Sequence, residues 1–122
     1  MTALRVGVAG LGNVGAEFVR LLINQKDLLS RRCGRQIEVT AVSARNKGFD
    51  RGIDLSNIIW FDDPNEMALS KNLDVICELI GGDTGPALQL TETALKAGKH
   101  VVTANKAMLA KRGLELFKIS IC

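Results

Sequence analysis

The order of apolar and polar residues along the chain predicts strands and helices in alternation. Residues 4–9 (LRVGVA) form an apolar run that is typical of a buried strand. From Val14 the period changes, because apolar residues now recur three or four positions apart, as on one face of a helix, and Gly34 is a suitable stop for that helix. Residues 37–42 (IEVTAV) are rich in β-branched side chains and predict a second strand.

The second half of the chain continues the alternation. Residues 43–57 are polar and contain two glycines, which predicts a long loop. The elements predicted after it are a short strand at residues 58–61, a short helix opened by Asp63 and Pro64, a strand at residues 74–79, a helix from Ala87 that stops at Gly98, a strand at residues 101–104 and a helix that begins at Lys106. We therefore expect one α/β domain over residues 1–122, in which helices on both faces join the parallel strands of a doubly wound sheet.

Composition and charge narrow the classes of function. The 122 residues are 47% hydrophobic and 24% charged, which is typical of a soluble globular domain. The net charge of +3 is mild and the basic residues are scattered, so a nucleic-acid partner is not indicated. Apolar stretches stay well short of 18 residues and the chain starts directly with a strand, so neither a membrane span nor a signal peptide is predicted.

The sulfur and imidazole side chains do not suggest a metal site. The chain has three cysteines, Cys33, Cys77 and Cys122, without a C-x-x-C pair, which argues against both a disulfide framework and a zinc site. Free thiols fit a reducing compartment, so we expect a cytoplasmic protein. The single histidine, His100, precedes a predicted strand and is interpreted as structural.

The strongest motif is the hexapeptide GLGNVG, which matches G-x-G-x-x-G between the first strand and the first helix. In such a turn Gly10 would permit the tight bend, Gly12 would let a diphosphate approach the backbone, and Gly15 would let the helix pack closely. The backbone amides of Asn13 and Val14 would point at the diphosphate from the helix N-terminus. The alternative is an ordinary strand-to-helix turn. We predict a dinucleotide-binding domain of the Rossmann type.

The end of the second strand bears on which dinucleotide is bound. An acidic residue there favours NAD by accepting a hydrogen bond from the ribose 2′-hydroxyl, but the sequence after the strand reads SARNK. Arg45 could stack on adenine and pair with a 2′-phosphate, Lys47 would add charge, and Ala44 would lie beside them. The alternative is that Arg45 and Lys47 are loop surface. The sequence thus favours NADP, with NAD as the second choice.

Residues after the fourth and fifth strands would reach the opposite side of the cleft, because ligands of such sheets lie outside the carboxyl ends of the strands. Gly81 leaves room for a nicotinamide ring. Glu78 either contacts ribose or water, or is a partly buried carboxylate with its hydrogen bonds satisfied. Thr103, Asn105 and Lys106 would reach the same cleft, although Asn105 could simply cap the last helix and Lys106 could be a surface lysine.

Three stretches together resemble the cofactor domain of homoserine dehydrogenase. They read GLGNVGAEFVRLL, IEVTAVSARNKGFDRGIDLS and DVICELIGGDTGPALQLTETALKAGKHVVTANKAMLA, and the likeness runs from about residue 4 to about residue 115. The resemblance implies NAD(P)H-dependent reduction of aspartate semialdehyde to homoserine, on the route to threonine and methionine. It places the catalytic lysine of the T-A-N-K motif at Lys106. It implies cofactor contacts at Asn13, Val14, Arg45, Thr103 and Lys106.

The family continues beyond this length with a substrate and dimerisation domain, which these 122 residues do not include. We therefore expect a truncated chain that binds cofactor but is inactive alone, since substrate would bind only with that second domain. Surface that the second domain would cover favours self-association or marginal stability. The alternatives are a non-enzymatic NADP(H)-binding module or subunit, and a relic that folds but binds nothing.

Overall fold

The computed structural model describes residues 3–48, 51–80 and 85–103. Strands and helices alternate through this part of the chain. The elements, in order, are β1 (Leu4–Ala9), α1 (Asn13–Asn24), α2 (Lys26–Cys33), β2 (Ile37–Ser43), β3 (Ile59–Trp60), α3 (Pro64–Ala68), β4 (Val75–Glu78), α4 (Pro86–Lys96) and β5 (His100–Thr103).

The five described strands form one parallel sheet in the order β3-β2-β1-β4-β5. The chain runs outward from β1 through β2 to β3, then crosses back to place β4 on the other side of β1. The strand order therefore reverses between β1 and β4, and ligands of open α/β sheets bind at such a switch point. The predicted doubly wound α/β architecture is confirmed.

Both faces of the central strands β1, β2 and β4 carry buried residues, and successive strand residues point to opposite sides. One core, on the side of α1, contains Val6, Val8, Leu11, Val19, Val42, Val75 and Cys77. The other, on the side of α3 and α4, contains Ala9, Ala41, Met67, Ala68, Leu73, Ile76, Leu90 and Ala94. The alternation explains why the strand sequences are almost continuously apolar, as expected for a parallel sheet that helices cover on both faces.

The first crossover differs from the single helix that the sequence predicts. The helix ends at Asn24, Gln25 leaves helical geometry with φ −108° and ψ 24°, and a second helix begins at Lys26. The predicted stop at Gly34 is confirmed, since Gly34 takes the left-handed conformation with φ 69° at the end of α2. Helix α1 starts one residue earlier than predicted, at Asn13.

Later boundaries shift by one or two residues. Ser43 was expected in the loop but is the last, buried residue of β2. The short third strand and the α3 cap are confirmed: Asp63 Oδ1 accepts a hydrogen bond from the Asn65 amide at 2.9 Å. His100 is the exposed first residue of β5 rather than the residue before it. The helix expected from Lys106 lies outside the described residues.

An ion pair ties the amino ends of β1 and β4 together, at the edge opposite the glycine turn. The Arg5 guanidinium donates to both oxygens of Asp74, each at 3.2 Å, and the Arg5 amide donates to Oδ2 at 2.9 Å. These hydrogen bonds from Arg5 hold the pKa of Asp74 below its usual 3.8. A lowered pKa stabilises the fold above about pH 4, and that contribution is lost as the pH falls through the folded-state pKa.

Within the described ranges, no helix combines the length and the apolar character that a bilayer crossing requires. Over the same ranges, no three His, Cys, Asp or Glu side chains are grouped so that they could hold a metal ion. Cys77 is a free, buried thiol on β4, and burial raises its pKa to about 11. It therefore stays protonated at neutral pH and serves as a core residue.

Candidate dinucleotide-binding site

The glycine turn folds back on itself between β1 and α1. Gly10 has φ +96°, and a Cβ built on it would lie 2.6 Å from the carbonyl oxygen of Leu79, just after β4. A Cβ on Gly15 would lie only 1.8 Å from the Gly10 carbonyl oxygen. Backbone hydrogen bonds fix the turn, because the Gly10 amide donates to Ser43 at 2.8 Å and the Leu79 amide donates to Ala9 at 2.8 Å. Gly10 and Gly15 are therefore required by the fold itself.

Gly12 is different, because nothing in the described protein requires a glycine there. It is the N-cap of α1, with φ −70° and ψ −162°, values that any L-residue can adopt. Apart from Gly12 and its two chain neighbours, no heavy atom of residues 3–48, 51–80 and 85–103 lies within 4 Å of its added Cβ. It also lacks the side chain with which Ser or Asp would cap the helix. The open space at Gly12 is what the close approach of a diphosphate requires.

The first turn of α1 offers hydrogen-bond donors beside that space. The first intrahelical backbone bond runs from the Ala16 amide to the Gly12 carbonyl at 2.8 Å, so the preceding amides have no acceptor within the helix. Asn13 and Val14 are exposed, and no acidic side chain occupies this turn. The positive end of the helix dipole and its amides suit an anion. A dinucleotide diphosphate therefore fits this end of the turn.

A cleft of about 670 Å³ runs over the turn, from the end of β2 to the segment after β4. Its lining consists of residues 10–12, residues 43–46, Arg51, Asp62, Pro64, Leu79, Ile80 and Pro86. The volume matches a pocket for a cofactor-sized ligand. The position matches the switch point between β1 and β4.

The cleft brings together some of the residues predicted from sequence and leaves others aside. Lining it are Gly10, Gly12, Ala44 and Arg45. Outside the lining are Asn13, Val14, Gly15, Lys47 and Thr103, of which Lys47 is exposed and Gly15 is buried. Gly81, Asn105 and Lys106 lie outside the described residues.

Arg51 connects the loop after β2 to the glycine turn at one end of the cleft, and the sequence analysis did not single it out. Its guanidinium donates to the carbonyl oxygens of Leu11 at 3.3 Å, Asn46 at 3.1 Å and Arg45. The same group lies 5.6 Å from the ring centroid of Trp60. One side chain thus fastens the loop after β2 to the glycine turn. Its partners are backbone carbonyls, which carry no sequence signature.

The charges of the described residues that line this end of the cleft are mostly positive. Arg45 is exposed, and its guanidinium makes no hydrogen bond to another described residue. Asp62 lines the same cleft from the end of β3, and its Oδ1 accepts the indole N–H of Trp60 at 3.1 Å. Among the described lining residues at this end, two guanidinium groups, from Arg45 and Arg51, accompany one carboxylate, from Asp62. This balance suits an anionic group such as a phosphate.

Glu78, the last residue of β4, is completely buried. Its Oε1 accepts a hydrogen bond from the Thr103 hydroxyl at 2.7 Å, and its Oε2 accepts one from the Ile80 amide at 2.7 Å. The parallel register places Glu78 opposite Thr103, the last residue of β5. The sequence left two interpretations of Glu78, a contact with ribose or water and a partly buried carboxylate with its hydrogen bonds satisfied. The second is confirmed, and the burial is complete.

Comparison with known proteins agrees with this geometry. Residues 10–120 match the family described as "Homoserine dehydrogenase, NAD binding domain". The homoserine dehydrogenase of Pseudomonas aeruginosa is 41% identical over 119 residues, which are 96% of this chain and 26% of that protein. The one from Neisseria gonorrhoeae is 37% identical over 120 residues, which are 98% of this chain and 27% of that protein.

A solved structure shows the same fold. The homoserine dehydrogenase of Thiobacillus denitrificans superposes with a TM-score of 0.89 at 35% identity, covering 99% of this chain and 28% of that one. The chain thus spans about a quarter of the length of the relatives it matches. It belongs to the homoserine dehydrogenase family and corresponds to the NAD-binding domain of that family.

Proposed function

We propose that the cleft binds NADP(H), and that the chain is the cofactor-binding domain of an oxidoreductase that interconverts aspartate semialdehyde and homoserine. The observation that carries the proposal is the space at Gly12, where the fold alone would accept a side chain. Family membership supports the choice of a nicotinamide dinucleotide. NAD is the second candidate for the cofactor.

Each part of the dinucleotide has candidate partners along the cleft. Gly12 and the amides of Asn13 and Val14 would hold the diphosphate. Ala44, Arg45 and, farther out, Lys47 would contact the adenosine half. Gly81, Thr103, Asn105 and Lys106 are proposed for the nicotinamide half.

When bound, a nicotinamide cofactor supplies a hydride. The proposed part of this chain in the reaction is to orient the cofactor and exclude water around it. Lys106 is proposed to hold a proton near the substrate oxygen, where an ammonium group both stabilises negative charge and can donate the proton.

Arg45 is proposed to make the site selective for NADP over NAD, by pairing with the 2′-phosphate. Replacing Arg45 by alanine is expected to weaken NADPH binding about tenfold or more, the usual cost of losing a charge-assisted hydrogen bond to a phosphate. NADH binding should change little, because NADH has no 2′-phosphate. Calorimetric titration of the wild type and of Arg45→Ala with both cofactors measures the difference.

The matched control is Arg32→Ala, which removes the same charge from an exposed position on α2. It should leave both affinities unchanged at moderate salt, since surface charges more than about 10 Å apart are screened. If Arg45→Ala weakens NADPH and NADH equally, or affects neither, the proposed selectivity is wrong.

We further propose that residues 1–122 alone bind cofactor without turning over substrate. The relatives named homoserine dehydrogenase are far longer, and this chain covers 27% of the Neisseria gonorrhoeae protein. Incubation of the chain with homoserine and NADP is expected to give no NADPH absorbance above a protein-free control. Steady NADPH formation that depends on chain concentration would contradict this.

The runner-up is a non-enzymatic NADP(H)-binding module or subunit. The two candidates differ in whether a separate catalytic chain restores turnover to this one.

A further inference from the structure

Asp62 lies at the carboxyl end of β3, and the chain is fixed on both sides of it. Before it, the Phe61 amide donates to the Val42 carbonyl oxygen at 2.9 Å, which keeps residue 61 beside β2. After it, Asp63 caps α3. Asp62 itself is exposed and lines the cleft. A strand and a helix therefore hold one carboxylate at a place that a ligand in the cleft can reach.

The Asp62 side chain is oriented by the tryptophan two residues earlier. The indole N–H of Trp60 donates to Asp62 Oδ1 at 3.1 Å. Among the described residues, Asp62 makes no other hydrogen bond and no ion pair through its side chain. A carboxylate accepts about four hydrogen bonds in all and donates none. Asp62 therefore keeps acceptor capacity, above all on Oδ2, and a group that it binds in the cleft must be a hydrogen-bond donor.

Few parts of NADP(H) can donate a hydrogen bond to this carboxylate. The phosphate oxygens only accept, and they carry the same sign of charge as Asp62. The donors of the cofactor are the adenine 6-amino group, the free ribose hydroxyls and the nicotinamide carboxamide. The strand order reduces this choice, because β3 and β2 lie on one side of β1, and β4 and β5 lie on the other. The nicotinamide half is proposed for the β4 and β5 side, so the adenosine half faces Asp62.

The distance across the sheet favours the base over the ribose. The diphosphate is proposed to lie against Gly12, just after β1, and β3 is two strands away from β1. Two strand spacings amount to about 10 Å. Within the adenosine half, the ribose is joined directly to the diphosphate, and the 6-amino edge of the base is the part farthest from it. This edge therefore matches the position of Asp62.

We propose that Asp62 accepts a hydrogen bond from the 6-amino group of adenine and makes the cleft selective for adenine over bases with an oxygen at that position, which rests on the proposed function. Arg45 and Asp62 follow the neighbouring strands β2 and β3 and line the same cleft. Their opposite charges then have separate tasks. The cation pairs with the 2′-phosphate, and the anion receives the amino group of the base.

Nicotinamide hypoxanthine dinucleotide phosphate tests this hydrogen bond, because its base carries a carbonyl oxygen in place of the 6-amino group. Two acceptors would then oppose each other at Asp62. The full 122-residue chain is titrated calorimetrically with NADPH and with the reduced hypoxanthine analogue. The wild type is expected to bind NADPH at least about tenfold more tightly, the usual value of a hydrogen bond to a charged group.

Asp62→Asn keeps the shape of the side chain and changes its polarity. The Trp60 indole only donates, so it holds the asparagine oxygen, and the N–H₂ group then takes the position of Oδ2. This donor suits the oxygen of hypoxanthine and opposes the amino group of adenine. The ratio of the two dissociation constants is therefore expected to fall about tenfold or more, to about one or below. Asp62→Ala, which offers neither donor nor acceptor, should bring the ratio to about one.

The matched control is Asp27→Asn, which removes the same charge from an exposed position in the first turn of α2. It should keep the wild-type ratio. Equal binding of the two cofactors by the wild type overturns the proposal, and so does a wild-type ratio in Asp62→Asn, which would assign the carboxylate to a ribose hydroxyl or to the fold alone. If Asp62→Asn does not fold, the ratio in Asp62→Ala decides in the same way. Failure of the wild type to bind either cofactor would instead overturn the proposed function, so the two failures are distinguishable.

Discussion

Replacing Gly15 by alanine is expected to destabilise the chain by about 3 kcal/mol or more, at the upper end of the usual cost of overpacking a core. The added Cβ would lie 1.8 Å from the Gly10 carbonyl oxygen and 2.7 Å from its carbon. Both are backbone atoms, so no rotamer change relieves the collision. Gly10 cannot easily move away, because it packs against the Leu79 backbone so closely that a Cβ built on it would lie 2.6 Å from the Leu79 carbonyl oxygen.

The measurement is urea unfolding, followed by the fluorescence of Trp60, which is the single tryptophan of the chain. A loss of about 3 kcal/mol is a large part of the roughly 5–15 kcal/mol that stabilises an ordinary domain, so Gly15→Ala is expected to melt roughly 10 °C lower than the wild type. Helix propensity works in the opposite direction, since alanine is favoured over glycine within a helix by about 1 kcal/mol. An unchanged urea midpoint would show that the turn can open without cost.

The local parts of the fold were predictable from sequence because each depends on a short pattern. The apolar run of residues 4–9 and the β-branched run of residues 37–42 predict strands that the structure contains. The glycine hexapeptide predicts the turn, since the φ of +96° at Gly10 and the contact of Gly15 with the Gly10 backbone both lie within the hexapeptide. The cap at Asp63 also depends on residues two positions apart.

The break between α1 and α2 could not be predicted, for a physical reason. The sequence around Gln25 contains neither glycine nor proline, and Gln25 itself is a good helix former. After the break, α2 packs against both α1 and β2, contacts that involve the sheet as well as the local sequence. Periodicity alone carries no information about such a change of direction.

The parts of the site that the sequence did not predict are contacts between residues far apart along the chain. Arg51 lies 40 residues from Leu11, whose carbonyl it binds. Glu78 and Thr103 are 25 residues apart and meet only through the register of β4 and β5. The sequence suggested Glu78 and Thr103 separately, as strand-end residues. Their pairing required the strand order.

Replacing Gly12 by alanine is expected to abolish most dinucleotide binding while leaving the fold intact, the opposite of Gly15→Ala. The added Cβ meets no described atom within 4 Å, and φ −70° suits alanine, so the unfolding free energy should change by less than about 1 kcal/mol. The same methyl group occupies the space proposed for the diphosphate. NADPH and NADH should therefore both bind on the order of 100-fold more weakly, a loss of about 2.7 kcal/mol.

Calorimetric titration of Gly12→Ala gives these affinities, and urea unfolding checks that the variant is folded. Gly48→Ala is the matched control, since its Cβ is equally unobstructed by described residues and lies outside the cleft lining. If Gly12→Ala binds both cofactors as the wild type and Gly48→Ala do, the diphosphate does not lie against this turn.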